Sequence, residues 1–315
     1  MSPTVLFAGR AEQRQAYHHH LTRAASEAGI AINLAMDPAD CDPGAVHYLI
    51  FAGNGPVQDF RPFRKLKAIL SLWAGVETLL TIGPPDGVAV VRMVEPGLTQ
   101  GMIDYVVGHT LRHHLEIDRY LGTEPIAVWE TDYPPLAQDR RVSILGLGTL
   151  GTACAIALSD LGFAVAGWSR RPKTVPGVTC LSGPEGLADA LTRADILVLL
   201  LPLTAMTERV LNAERLARLP QGACVINAGR EPLIDHGALI AALDKGHLRH
   251  ATMDVFDIEP LPPTDPYWAH PKVTVTPHIA SVTRPETAAV ALIESIRRAE
   301  AGEPLENLVN SGQGY

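Results

Sequence analysis

The sequence predicts an α/β fold made of two doubly wound parallel-sheet domains. Short β-rich apolar runs alternate with helix-length segments from end to end, the pattern of a parallel sheet covered on both faces. The alternation pauses at one long helical stretch and then restarts, as expected of a second α/β unit. With 315 residues, 47% hydrophobic and 19% charged, the chain is long enough for about two domains with sizeable cores.

In the first series TVLFAG (4–9), AINLA (31–35), HYLIF (47–51), KAILSL (67–72) and VAVVRM (88–93) read as strands, with a helix over 11–28. Segment 99–120 has apolar residues at helical spacing and no proline, which predicts a long helix joining the two series. Pro134-Pro135 and the polar AQDRR before Val142 mark the entrance to the second. There RVSILG (141–146), FAVAGW (163–168), DILVLLL (195–201), ACVINA (223–228), ATMDVF (251–256) and KVTVT (272–276) read as strands. A helix over 285–301 should return the chain to the first unit. The expected domains are therefore 1–98 with 285–315, a discontinuous outer domain, and 99–284, an inner one.

Composition excludes several function classes. A formal charge of -8 opposes binding to nucleic-acid phosphates. No apolar stretch is long enough to span a bilayer, and MSPTVLFAGR lacks a basic segment followed by an extended apolar one, so a cytoplasmic protein is expected. Cys41, Cys154, Cys180 and Cys224 are widely spread without CxxC spacing and read as buried free thiols. His18-His19-His20 falls in a helical pattern where neighbours point in different directions, so a solvated face is expected there and no metal.

RRVSILGLGTLG carries Gly146, Gly148 and Gly151 in G-x-G-x-x-G spacing, directly after a predicted strand and opening a predicted helix through Thr149 and Leu150. The first glycine allows a tight turn, the second lets a pyrophosphate approach the backbone, and the third lets helix and strand pack closely. The free N–H groups of the helix start suit the phosphates. About 20 residues beyond such glycines an acid usually accepts hydrogen bonds from the adenosine ribose. Here Trp168-Ser169-Arg170-Arg171 occupies that place. A carboxylate would repel a 2′-phosphate, whereas the two arginines can bind one, with Ser169 as a further donor. NADP(H) is expected over NAD(H).

Three later segments each put a polar side chain just beyond a predicted strand, at the edge where open α/β sheets bind ligands: Arg230 in VINAGREPL, Glu259 in MDVFDIEPL and His278 in VTVTPHIAS. An arginine can hold a carboxylate, a histidine can exchange a proton near neutrality, and a carboxylate can orient that histidine and stabilise its charged form. Together they suit a 2-oxo acid. Each taken singly also fits a structural role; all three in order favour chemistry. His109, His113, His114, His247 and His250 have no such context and read as structural.

Through GLGTLG, LLLPLTAMT, NAGR, MDVFDIEPL and TPHIA, in this order, the sequence resembles the D-isomer-specific 2-hydroxyacid dehydrogenases. Through WSRRPK, SLWAGVE, TPHIASVTRP and the C-terminal GY it is most similar to the NADPH-dependent glyoxylate/hydroxypyruvate reductases among them. The resemblance implies a Rossmann nucleotide domain inserted into a flavodoxin-like substrate domain, an active site in the cleft between them, and a homodimer formed through the nucleotide domain. It implies that Arg230 binds and polarises the oxo-acid group, that His278 protonates the carbonyl oxygen, and that Glu259 pairs with His278. Backbone N–H groups of Ala74, Gly75 and Val76 should cradle the substrate carboxylate, Asp254 should meet the nicotinamide carboxamide, and Leu201, Pro202, Thr207 and Ala228 should line the cofactor groove. Two departures bear on the substrate. Trp73 stands where many relatives have glycine, and Glu231 replaces the glycine that commonly follows the arginine. The resemblance also admits a sister dehydrogenase for a bulkier 2-oxo acid or of the D-lactate type, and a non-catalytic nucleotide sensor on the same fold.

Overall fold

The computed structural model describes residues 2–121 and 133–310; the C-terminal GY lies outside the described residues. The chain divides into two compact units, Met1–Leu98 with Thr283–Tyr315, and Thr99–Val282.

The first unit opens with β1 (Thr4–Ala8), α1 (Arg14–Glu27), β2 (Asn33–Ala35), β3 (Tyr48–Phe51), β4 (Ala68–Ser71), α2 (Glu77–Ile82) and β5 (Ala89–Val91). Its sheet is parallel in the order β2-β1-β3-β4-β5, the flavodoxin-like arrangement. β3 and β4 are buried at every position, which is why they read as unbroken apolar runs rather than alternating ones.

α3 (Pro96–His114) starts three residues before the expected 99. The carboxylate of Glu95 accepts from the N–H groups of Gly97 and Leu98, both at 2.6 Å, and Pro96 loses nothing at a position whose N–H has no helical partner. In sequence the same Glu-Pro-Gly looks like a turn. The helix ends at His114, not 120, because Glu116 adopts a left-handed φ of 55° and a single 3-10 turn follows over Ile117–Arg119.

The second unit continues with β6 (Arg141–Leu145), α4 (Thr149–Asp160), β7 (Ala164–Ser169), β8 (Thr179–Ser182), α5 (Gly183–Thr192), β9 (Ile196–Leu199), α6 (Ala213–Leu216), β10 (Ala223–Asn227), α7 (His236–Asp244), β11 (Leu248–Met253), α8 (Pro266–Ala269) and β12 (Val273–Val275). The order β12-β11-β10-β9-β6-β7-β8 is a doubly wound sheet whose direction of winding reverses between β6 and β9, the place where such sheets bind ligands. β8, TCLS, escapes a reading by pattern: it is a partly exposed edge strand with neither alternation nor a β-branched run.

α9 (Pro285–Ala301) belongs to the first unit, where Ala288, Leu292, Ile293 and Ile296 pack with Tyr17, Leu21, Ala24 and Ala25 of α1 over the sheet. Of the cysteines, Cys154 and Cys224 are buried and Cys41 and Cys180 half-buried, all as free thiols. Among the described residues, no helix is long and apolar enough to cross a membrane.

Candidate active site

The glycine loop follows β6 at the reversal point of the second sheet. Gly146 adopts φ +112°, and a β-carbon there would come within 2.6 Å of the Leu200 carbonyl oxygen. At Gly151 an added β-carbon would fall 1.8 Å from the carbonyl oxygen of Gly146, so helix and turn are in direct backbone contact. Gly148 is different: its backbone is extended and nothing lies within 4 Å of where a side chain would start. Gly148 and Thr149 are exposed, and the first-turn N–H groups of α4 have no partner within the helix. Two glycines are thus demanded by packing and one leaves room for a ligand, which fits a pyrophosphate.

At the end of β7 Trp168 is anchored by its indole N–H, which donates to the Gly183 carbonyl at 2.8 Å. Ser169 Oγ donates to the Arg171 carbonyl at 2.7 Å, so its proton folds the basic turn rather than standing free. Arg170 and Arg171 are exposed, with no carboxylate in the WSRRPK stretch. Lys173 donates from Nζ to the carbonyl of Leu147 inside the glycine loop. The basic turn and the loop are therefore one assembly. The third cation of RRPK was the available signal, but only the fold shows which loop it reaches.

Leu201 is buried, and Thr207 Oγ1 donates to the Pro202 carbonyl at 2.6 Å while accepting from Thr204 N–H at 2.8 Å. The hydroxyl closes the 202–207 turn.

Arg230, Asp254 and Thr276 follow the carboxyl ends of the neighbouring strands β10, β11 and β12, locked by Asp254 N–H to Asn227 O and Thr276 N–H to Met253 O, each 3.0 Å. Asn227, fully buried, shapes the arginine loop: its Nδ2 donates to the Arg230 carbonyl at 2.9 Å and its Oδ1 accepts from Gly229 N–H at 3.1 Å. Gly229 has no room for a side chain, since a β-carbon would meet Leu233 Cδ1 at 2.9 Å and the Leu201 carbonyl at 3.0 Å. Glu231 turns to α7, where its Oε1 lies 3.3 Å from His236 Nδ1. Burial pushes its carboxyl above the usual range, against the pull of His236.

His278 is brought to Glu259: Nδ1 lies 2.8 Å from Oε2 and 3.1 Å from Oε1, and Oε1 also accepts from Phe256 N–H at 2.9 Å. The histidine sits at φ 53°, a left-handed conformation costly for a non-glycine residue. Asp254 holds it there. The Asp254 carbonyl accepts from His278 N–H at 2.8 Å, and its carboxylate accepts from Thr276 Oγ1 (2.6 Å), Ile279 N–H (2.9 Å) and Ala280 N–H (2.8 Å). Burial raises the carboxyl of Asp254, while these three donors oppose the rise. Its observed work is thus to fold the histidine loop, a role sequence reasoning did not assign.

In the first unit Ala74, Gly75 and Val76 lead into α2 after β4, and Trp73 is exposed to 38%. A cavity of about 590 Å³ in that unit, lined by residues such as Phe60, Phe63, Arg64 and Ile82, contains none of the expected site residues. Among the described residues, no group of three or more His, Cys, Asp or Glu could hold a metal ion.

Residues 107–280 match the family described as D-isomer specific 2-hydroxyacid dehydrogenase, NAD binding domain. The chain is 37% identical over 259 residues to glyoxylate/hydroxypyruvate reductase A of Yersinia enterocolitica, covering 80% of this chain and 82% of that protein. Among solved structures it is similar to a D-isomer specific 2-hydroxyacid dehydrogenase from Xanthobacter autotrophicus Py2 in complex with NADPH and MES, with TM-score 0.93, 41% identity and all of both chains covered. It is also similar to an NADPH-dependent glyoxylate/hydroxypyruvate reductase from Sinorhizobium meliloti in complex with NADP and sulfate, with TM-score 0.88, 32% identity and all of both chains covered.

Proposed function

Because the chain belongs to the D-isomer specific 2-hydroxyacid dehydrogenase family, we propose that it reduces a small 2-oxo acid, glyoxylate or hydroxypyruvate, to the 2-hydroxy acid with NADPH. The observation that carries the catalytic part of this reading is the contact of His278 Nδ1 with Glu259 beyond the ends of the paired strands β11 and β12.

When bound, the reduced nucleotide supplies the hydride that adds to C2. With Nδ1 engaged by Glu259, Nε2 is the ring nitrogen of His278 that carries the transferable proton, and it gives that proton to the carbonyl oxygen. Proton delivery of this kind contributes roughly 10²- to 10⁴-fold in rate. Arg230 holds the oxo-acid group and stabilises negative charge developing on the same oxygen. Glu259 fixes the ring, while Asp254 and Asn227 hold the two loops in place. Ala74, Gly75 and Val76 supply N–H groups to the substrate carboxylate.

NADP(H) is preferred over NAD(H). Support comes from the relatives solved with NADPH and NADP, and from Arg170, Arg171 and the Lys173 link to the glycine loop in a turn without an acid. Leu201, Pro202, Ala228 and the loop tied by Thr207 line the nucleotide's path. A homodimer formed through the nucleotide unit is part of the same reading, supported by exposed Leu115, Ile117, Tyr120 and Leu121 just beyond α3. A cytoplasmic location is proposed with it.

The test is a panel of 2-oxo acids, including glyoxylate, hydroxypyruvate and phenylpyruvate, each run with NADPH and NADH. NADPH oxidation by the small acids is expected. Tight NADPH binding without turnover of any of them would leave a nucleotide sensor instead.

A further inference from the structure

We infer that Trp73 sets the size limit on the substrate's C2 substituent and that Gly53 is the seat that holds its ring in place, an inference that rests on the 2-oxo acid reduction proposed above. β3 and β4 are neighbours in the sheet, with Phe51 opposite Ser71. The loops leaving their carboxyl ends, Ala52 onward and Leu72 onward, therefore run side by side. The backbone of Trp73 is held tightly. Its N–H donates to Ser71 Oγ at 3.0 Å, and its carbonyl accepts from Ser71 Oγ and from Met93 N–H, each at 3.0 Å.

The indole is held by shape. A β-carbon on Gly53 would come within 2.7 Å of Trp73 Cζ3, closer than real side chains pack, and 3.1 Å of Thr78 Cβ, a tight contact. Gly53 is not in a left-handed conformation, so the backbone itself does not demand glycine; the ring does. The indole and the Thr78 side chain at the start of α2 both lie against the Gly53 backbone, and Trp73 is 38% exposed. It stands one residue before Ala74, whose N–H begins the segment assigned to the substrate carboxylate. An acid bound there has a rigid aromatic wall at its side. A hydrogen atom or a hydroxymethyl group on C2 fits beside such a wall, whereas a benzyl group competes with it for space.

The experiment measures kcat/KM for phenylpyruvate and glyoxylate at saturating NADPH in the wild-type protein, Trp73→Ala, Trp73→Phe and Gly53→Ala. The phenylpyruvate-to-glyoxylate ratio should rise by about tenfold or more in Trp73→Ala, since even one methylene group in a tight pocket changes discrimination on the order of 10- to 200-fold. Trp73→Phe should raise it less, and it carries the test should the alanine variant fail to fold. In Gly53→Ala the ratio should change by at least about threefold with the tryptophan retained, because the new methyl group unseats the ring. A ratio that stays level or falls in both Trp73 variants overturns the inference while leaving the 2-oxo acid reductase standing. An unchanged ratio in Gly53→Ala overturns the seat. A wild-type protein that reduces no 2-oxo acid brings down the functional reading and this inference together.

Discussion

His278 Nδ1 lies 2.8 Å from Glu259 Oε2, although the two residues are separated by 19 positions and each reaches the contact from its own loop. The contact orients the ring. Replacing His278 with Gln should lower kcat by about 10²- to 10⁴-fold with NADPH affinity within a few-fold of wild type. Stopped-flow turnover and nucleotide fluorescence titration measure the two separately, and near-normal turnover would remove the histidine as the acid. Glu259→Gln should be milder, since a hydrogen bond to Nδ1 remains while the charge is lost.

Arg170→Ala and Arg171→Ala should raise KM for NADPH by about 10- to 100-fold, the worth of a hydrogen bond to a charged group. KM for NADH should stay nearly level. Equal losses for both nucleotides would mean that neither guanidinium reaches a 2′-phosphate.

The glycine loop gives a contrast within one motif. Gly151→Ala places a methyl group against the Gly146 carbonyl and should destabilise the unit by about 1–3 kcal/mol or more, on the order of an overpacked core. Gly148→Ala meets open space and should fold normally while weakening NADPH binding. Thermal melts with and without nucleotide separate the outcomes; equal stability losses in the two variants would contradict the assigned tasks.

Asp254→Ala removes the acceptor for Thr276 Oγ1, Ile279 N–H and Ala280 N–H. Losing several bonds to one buried carboxylate should cost on the order of 3 kcal/mol in urea unfolding. It should also reduce kcat, because the left-handed backbone of His278 loses its support. A stable variant with full kcat would show that the histidine loop holds itself.

Buried and half-buried histidines away from the site predict acid sensitivity. Burial lowers His109 and His250 to about 4, below an unfolded value near 6.5. Below that unfolded value the denatured chain binds more protons than the native one, so stability is fully present above about 6.5 and falls as pH drops toward about 4. His113 works the other way: burial is the largest influence and opposes its charge, but Asp118 and Cys224 together raise it. Burial and Arg140 also lower His114, so three lowered histidines outnumber it. Urea unfolding at pH 7 and pH 5 should differ by on the order of 1–3 kcal/mol, and His250→Gln should shrink the difference. A flat profile would sink the idea.

The sequence by itself determined the α/β class, the G-x-G-x-x-G turn and the absence of a ribose acid, because these depend on local periodicity and on residue types at fixed spacing. Buried strands such as LVL and CVIN announce themselves through apolar content, and glycines through the turn they permit. It also named Arg230, Glu259 and His278, each by its own motif. The family resemblance also named the Glu259–His278 pairing, but only the tertiary structure decided what holds their loops in place. Asp254 becomes the clamp of the His278 loop and Asn227 that of the arginine loop because parallel register sets the ends of β10, β11 and β12 side by side. Lys173 meets Leu147, and Gly53 meets the ring of Trp73, across 26 and 20 positions of chain. Such contacts arise from long-range packing rather than local conformational preference, and no spacing in one sequence encodes them.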